Sequence, residues 1–219
     1  MTPALRRSAG MRALRAGLGR ALALLTLLAL LPLALVTAML VFVTLGRPLL
    51  FWQRRSGLHG QAFVLWKFRT MREARDARGE LLPDALRQTA LTRLLRATRL
   101  DEVPQLLAIF RGQMALVGPR PLLPETIAGF GALGAVRSSV LPGLTGWAQV
   151  NGNTCLSDRE KLALDLWYVE NRSFALDCRI LALTVLVILT GERRNLGNLE
   201  RARPILRDLE ATTAASVRP

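Results

Sequence analysis

Apolar positions along this chain fall into three patterns. The first is a run of 26 uncharged residues, Ala21 to Gly46. As one straight helix it would measure about 39 Å, against a bilayer hydrocarbon core of roughly 30 Å. Pro32 lies inside the run and removes a backbone donor, which predicts a bend or break there. The second pattern is a short apolar run, Phe63-Val64-Leu65-Trp66, preceded by a turn at Gly57 to Gly60; it predicts a strand of a small β-hairpin. The third is helical spacing from Thr89 to Arg111, carried by Leu91, Leu94, Leu95, Leu100, Val103, Leu106, Leu107 and Phe110. Pro104 interrupts it. Proline is tolerated in a first turn, so a second helix is predicted to begin near Pro104, with Asp101 and Glu102 just before its N-terminus. Phe174 to Thr190 is again apolar, but Asp177 and Arg179 leave only Ile180 to Thr190 clean, which suits a buried or membrane-surface helix. Arg72 to Pro83 reads as a surface loop or short helix.

Charge sharpens the reading of the first run. The chain has 219 residues, with 30 Lys+Arg against 16 Asp+Glu, a net charge of +14. Arg6, Arg7, Arg12, Arg15 and Arg20 precede the apolar run, and Arg54, Arg55, Lys67, Arg69 and Arg72 follow it. Positive flanks mark the cytosolic side, so both ends of the segment favour one side. A helix-break-helix that enters and leaves by one face meets both facts; a proline-kinked span is the alternative. The run is too long for a signal peptide and lacks a small-x-small cleavage site. The domain reading is a basic segment 1–20, a re-entrant membrane helix 21–46, a catalytic unit 47–190 at the membrane surface and a loosely ordered polar tail 191–219.

A strongly basic chain seeks an anionic partner. Nucleic acid fits poorly, because few aromatic residues are interleaved with the basic clusters. Cys155 and Cys178 form no spaced motif, and His59 stands alone, so neither type predicts a metal site. Gly129 to Gly134 spells G-x-G-x-x-G without the strand or βαβ unit that a dinucleotide site requires.

Three strings can carry chemistry. In Leu100-Asp101-Glu102-Val103-Pro104-Gln105, adjacent carboxylates meet a helix start, whose dipole favours their ionised form, and Arg96 and Arg99 lie within about one turn to grip phosphate. In Gly118-Pro119-Arg120-Pro121, two prolines stiffen the backbone about one arginine. In Pro142 to Gly152, glycines allow close backbone approach, and Trp147 is available to stack on a base, to lie at a membrane interface, or simply to pack its own loop.

Together with Lys67-Phe68-Arg69-Thr70-Met71 and with Lys161, Asp165 and Trp167-Tyr168-Val169, these strings resemble the bacterial sugar transferase family, the monotopic polyprenyl-phosphate phosphoglycosyl transferases of the short, catalytic-unit type. The likeness runs from about residue 20 to 190. It implies an α+β fold, mainly helical, with a small hairpin and a re-entrant helix broken at Pro32. It implies a catalytic Asp101-Glu102 dyad, with Asp101 as nucleophile and magnesium ligand. Arg96 and Arg120 are the first candidates for binding substrate phosphates, and Lys67 and Arg69 the second. The implied substrates are a UDP-sugar and undecaprenyl phosphate, and the implied cofactor is Mg2+. The implied place is the cytoplasmic face of the bacterial plasma membrane, with homo-oligomerisation left open. The chain departs from the family pattern at Leu31, Thr92, Gln113 and Leu141, none of them in the dyad. Two other classes compete with this reading: a metal-dependent glycosyltransferase that releases UDP, and a basic membrane-surface adaptor that needs no dyad.

Overall fold

The apolar run folds as two helices, α1 (Gly17–Ala29) and α2 (Leu31–Leu45), bent by 59° at their junction. This computed structural model describes residues 17–216, so most of the expected basic segment 1–20 lies outside the described residues. The bend falls just ahead of Pro32, which occupies the first turn of α2, where a missing N–H costs least. Thr26 and Leu30 carbonyls still accept from Leu30 and Ala34, so the helical ladder is nearly continuous through the bend. No single described helix is long and apolar enough to cross a membrane. Many large apolar side chains of the pair are exposed, among them Leu25, Leu35, Met39 and Val43.

The predicted hairpin is present and longer than expected. β1 (Leu50–Ser56) pairs antiparallel with β2 (Ala62–Phe68), with Trp52 opposite Trp66 and Arg55 opposite Phe63. One face buries Phe63 and Leu65; Trp52, Val64 and Trp66 stand out on the other. A loop with one bridge, Arg75 to Leu81, leads to the short α3 (Asp84–Arg87) and to α4 (Ala90–Ala97). Thr89 and Thr92 close a reciprocal capping box on α4. The Thr92 departure is thereby accounted for: its side chain is fully buried and caps the helix.

The helix expected to begin near Pro104 is present as α5 (Leu106–Phe110), entered through a 3-10 turn, Leu100–Gln105, that contains the proline. Asp101 and Glu102 therefore sit ahead of α5, in the first turn of a 3-10 helix that leads into it. The turn packs against α2, α4 and β2, and Val103 and Leu106 join Ala23, Phe63, Leu65, Ile109 and Met114 in one apolar cluster. The bent helix pair, the hairpin and the dyad segment thus share a core.

A second sheet is an addition to the expected fold. β3 (Ala115–Val117) runs parallel to β4 (Gly143–Thr145) across a connection that holds α6 (Pro124–Gly129) and α7 (Ala132–Arg137). Then follow the short α8 (Trp147–Val150), α9 (Asp158–Asn171), started by a Ser157-Glu160 capping box, and α10 (Phe174–Thr190). Asp177 does not break α10, because its carboxylate accepts from the Tyr168 hydroxyl at 2.7 Å. Ile180 is buried, while Val185, Leu186 and Leu189 are exposed, so α10 lies with one face on the body.

The expected loose tail is corrected. Residues from Leu196 to Ser216 form a helix, α11, whose Leu199 and Ala202 are buried in the largest core cluster against α9. The Asn198 side-chain amide donates to Asn151 Oδ1 at 2.7 Å. The spacing of Leu196, Leu199, Ala202 and Ile205 is the amphipathic signal, diluted in sequence by Glu200, Arg201, Arg203 and Pro204.

Candidate active site

The dyad is aimed by its backbone. Arg99 takes the left-handed conformation (φ 59°, ψ 16°), which ends α4 and opens the 3-10 turn. For a residue with a Cβ that conformation costs about 1 kcal/mol or more, and the packed turn holds it in place. Asp101 and Glu102 are buried, 6% and 8% exposed.

The two carboxylates are treated very differently. Glu102 Oε1 accepts from Arg120 Nη2 at 2.7 Å and lies 3.7 Å from Arg99 Nη1. Burial pushes Glu102 upward, but Arg120 and Arg99 outweigh it and hold the carboxyl below the usual glutamate range. Asp101 has no such partner. Burial and then the neighbouring Glu102 charge push it up to about 6, while Lys67 and Arg96 pull it partly back. The expectation that a helix dipole keeps both acids readily ionised is therefore corrected for Asp101: desolvation and like charge outweigh the small dipole of a six-residue 3-10 turn.

Of the expected phosphate contacts, the structure gathers Lys67, Arg96 and Arg120 about the dyad, and all three act electrostatically on Asp101, on Lys67 or on both. Lys67 is lowered first by burial and then by Arg96 and Arg120, with Asp101 opposing. Its ammonium stands over the Phe51 ring at 5.4 Å. Arg69 is placed elsewhere: its Nη2 donates to the Leu45 and Gly46 carbonyls, so it caps the C-terminal end of α2. Trp147 is 2% exposed and stacks on Trp167 at 5.2 Å, so it packs its own loop and is not offered to a base or a membrane. The loop glycines serve the same packing. A Cβ on Gly143 or Gly146 would lie 2.1 Å from Gly118 main-chain atoms.

Sequence reading missed several site residues. Arg55, with Lys67, Arg120, Gln105 and Gln53, lines a small polar recess beside the dyad. On the other side, an apolar cavity of about 270 Å3 reaches Glu102 and Arg99 from between α1 and α10, bounded by Leu30, Leu106, Leu181 and Ile188. Glu192, just past α10, receives Arg99 Nη2 at 3.1 Å, the Thr154 amide at 3.0 Å, and the Asn153 and Thr154 side chains. Strand alternation at Arg55 was the available signal for the recess; nothing local marks Glu192.

Among the described residues, no group of three or more His, Cys, Asp or Glu is placed to hold a metal. Asp101 is the one dyad carboxylate not already engaged by an arginine. That donor set fits Mg2+, which typically takes one or two carboxylates and completes its shell with water and substrate phosphate.

Comparison with known proteins gives a consistent result. The family model described as bacterial sugar transferase matches residues 11–191. The sugar transferase EpsL of Bacillus subtilis is 49% identical over 158 residues, covering 72% of this chain and 78% of that protein. The undecaprenyl-phosphate glucose phosphotransferase of Komagataeibacter xylinus is 39% identical over 175 residues, 74% of this chain and 33% of its own length. An undecaprenyl-phosphate N-acetylgalactosaminephosphotransferase of Aeromonas hydrophila is 35% identical, with 73% and 40% covered. Among the relatives whose names state a substrate, the chain spans 33% to 64% of their length.

Proposed function

This chain belongs to the bacterial sugar transferase family, and on that premise we propose that it is a phosphoglycosyl transferase, moving a sugar 1-phosphate from a UDP-sugar to undecaprenyl phosphate and releasing UMP. The observation that carries this reading is that Lys67, which acts on Asp101, and Arg120, which binds Glu102, line a recess together with Arg55, while Glu102 also borders an apolar cavity of about 270 Å3. A diphosphate suits the first and an isoprenoid tail the second.

In the proposed reaction an Asp101 carboxylate oxygen attacks the sugar-bearing phosphorus. The bridging P–O bond breaks and UMP departs with its electron pair. Polyprenyl phosphate then attacks the same phosphorus, the acyl phosphate bond breaks, and the Asp101 carboxylate is restored. Lys67, Arg55 and Arg120 offset charge on the phosphate oxygens, and Arg96 favours the ionised nucleophile. Bound Mg2+, with Asp101 as a ligand, supplies further neutralisation of phosphate charge. Glu102 is a weak base in this setting, because its arginines hold its pKa low. The acceptor phosphate is largely dianionic near neutral pH and needs little proton removal, so Glu102 serves chiefly to hold Arg120 and Arg99.

Membrane attachment is part of the same reading. The bent α1-α2 pair and the outer face of α10 expose apolar residues, and basic residues flank the pair on both sides. This supports a re-entrant anchor at the cytoplasmic face of the plasma membrane. The test is a panel of UDP-sugars with undecaprenyl phosphate and Mg2+, read by nucleotide release. UMP supports the proposal; UDP favours a glycosyltransferase that leaves the phosphate behind.

A further inference from the structure

One buried ion pair takes no part in the chemistry above. Arg137, the last residue of α7, is 4% exposed, and Asp165, inside α9, is 3% exposed. Arg137 Nε donates to Asp165 Oδ2 at 2.9 Å, and Nη2 lies 2.7 Å from the same oxygen. A buried pair of this kind is seldom better for stability than apolar residues of similar volume, so its presence calls for another reason.

The second hydrogen bond of Arg137 supplies one. Its Nη2 donates to the main-chain carbonyl of Arg120 at 2.6 Å. Arg120 in turn donates from its side chain to Glu102 Oε1. The preceding backbone is already rigid: the Gly143 amide donates to the Pro119 carbonyl at 2.9 Å, and a Cβ on Gly118 would lie 2.4 Å from the Leu141 carbonyl. Arg137 fixes the next peptide, the one that carries Arg120 itself. Asp165 fixes Arg137, and it spends Oδ2 alone on the task; its Oδ1 is buried without a hydrogen-bond partner.

We propose that Arg137 and Asp165 are positioning residues: anchored in the α7-α9 core, they set the main chain of Arg120 so that its guanidinium meets Glu102 and the substrate phosphate. The inference rests on the reading of Arg120 as a phosphate contact. A planar guanidinium fork reaches the carboxylate and the carbonyl together; a lysine ammonium on its shorter reach keeps the charge but gives up that fork.

A double-mutant cycle on the full chain tests this. Arg137→Lys, Arg120→Lys and the double variant are compared by UMP release at varied UDP-sugar, with melting temperature as the fold control. The expected result is a folded R137K protein with kcat/KM down by about tenfold or more, R120K down further, and the double variant no worse than R120K, which is the non-additivity of residues acting as a unit. Wild-type kcat/KM in folded R137K, or losses that multiply in the double variant, would overturn the proposal. If R137K does not fold, Asp165→Asn, which keeps shape and an acceptor oxygen, enters the same cycle with the same two readings. Absence of UMP release by the wild-type protein defeats the transferase reading; an active wild type with multiplying losses defeats only the positioning role.

Discussion

At the residue scale, two adjacent acids in one turn differ because their neighbours differ. Glu102 is held ionised by Arg120 and Arg99, whereas Asp101 is left to burial and to the charge of Glu102. This has a consequence for activity. In the proposed reaction the carboxylate form of Asp101 is the nucleophile, so kcat/KM is expected to fall as pH drops through about 6 in the free enzyme. A pH–rate profile checks it, and a flat profile down to pH about 4, near an unperturbed aspartate, would count against an Asp101 raised in this way. The same shift bears on stability. The folded state binds the Asp101 proton more tightly than the unfolded chain, so stability is lost as pH rises from about 4 to about 6 and stays lost above. Asp101→Asn removes that penalty. Without divalent metal it is expected to raise stability by about 1–2 kcal/mol at pH about 8, and by almost nothing at pH about 3.5. Denaturant midpoints at the two pH values read this out, and an equal or opposite change at pH 8 would refute it. The dyad and Arg120 were legible in sequence as local strings. The inequality of the two acids was not, because it depends on which arginine reaches which oxygen across 18 residues of chain.

At the element scale, the sequence announced helices through their apolar spacing and misjudged them where packing or tight geometry took over. Pro104 does not begin an α-helix; it sits within a 3-10 turn that lets the dyad face the hairpin. The parallel β3-β4 pair escaped notice because each strand has three residues, too few to show alternation. Arg69 looked like a phosphate contact beside Lys67, yet it lies just past the end of β2 and its guanidinium is taken up by the Leu45 and Gly46 carbonyls, capping α2. The helix α11 is the clearest case. Its apolar stripe is narrow and interrupted, and it becomes a helix by burying Leu199 and Ala202 against α9. Leu199→Ala is accordingly expected to destabilise the protein by about 2–4 kcal/mol, as for a buried leucine. An unchanged melting temperature would return the segment to the status of a tail.

At the scale of the whole molecule, the bent helix pair, the hairpin and the dyad turn share one apolar cluster, so the helix pair and the candidate site form a single packed body. Under the proposed function the two recesses divide the substrates, the charged one suiting a soluble diphosphate and the apolar one a lipid acceptor. The re-entrant reading makes a topological claim. With Cys155 and Cys178, both free and exposed, replaced by serine, cysteines introduced at Leu18 and at Arg47 are expected to react with a membrane-impermeant maleimide from the same, cytoplasmic side. Labelling from opposite sides would mean a kinked span. Sequence alone offered both readings, and a bend of 59° between legs of 13 and 15 residues is compatible with either, so the labelling decides.

The account turns on a covalent bond between Asp101 and the transferred phosphosugar. Incubating the full chain with UDP-sugar and no acceptor, quenching in acid and mapping the peptides by mass spectrometry tests it directly. The expected result is a sugar-phosphate adduct on Asp101 that disappears when undecaprenyl phosphate is added before the quench and is absent from Asp101→Asn. An active enzyme that shows no adduct, or carries it on another residue, would contradict the account.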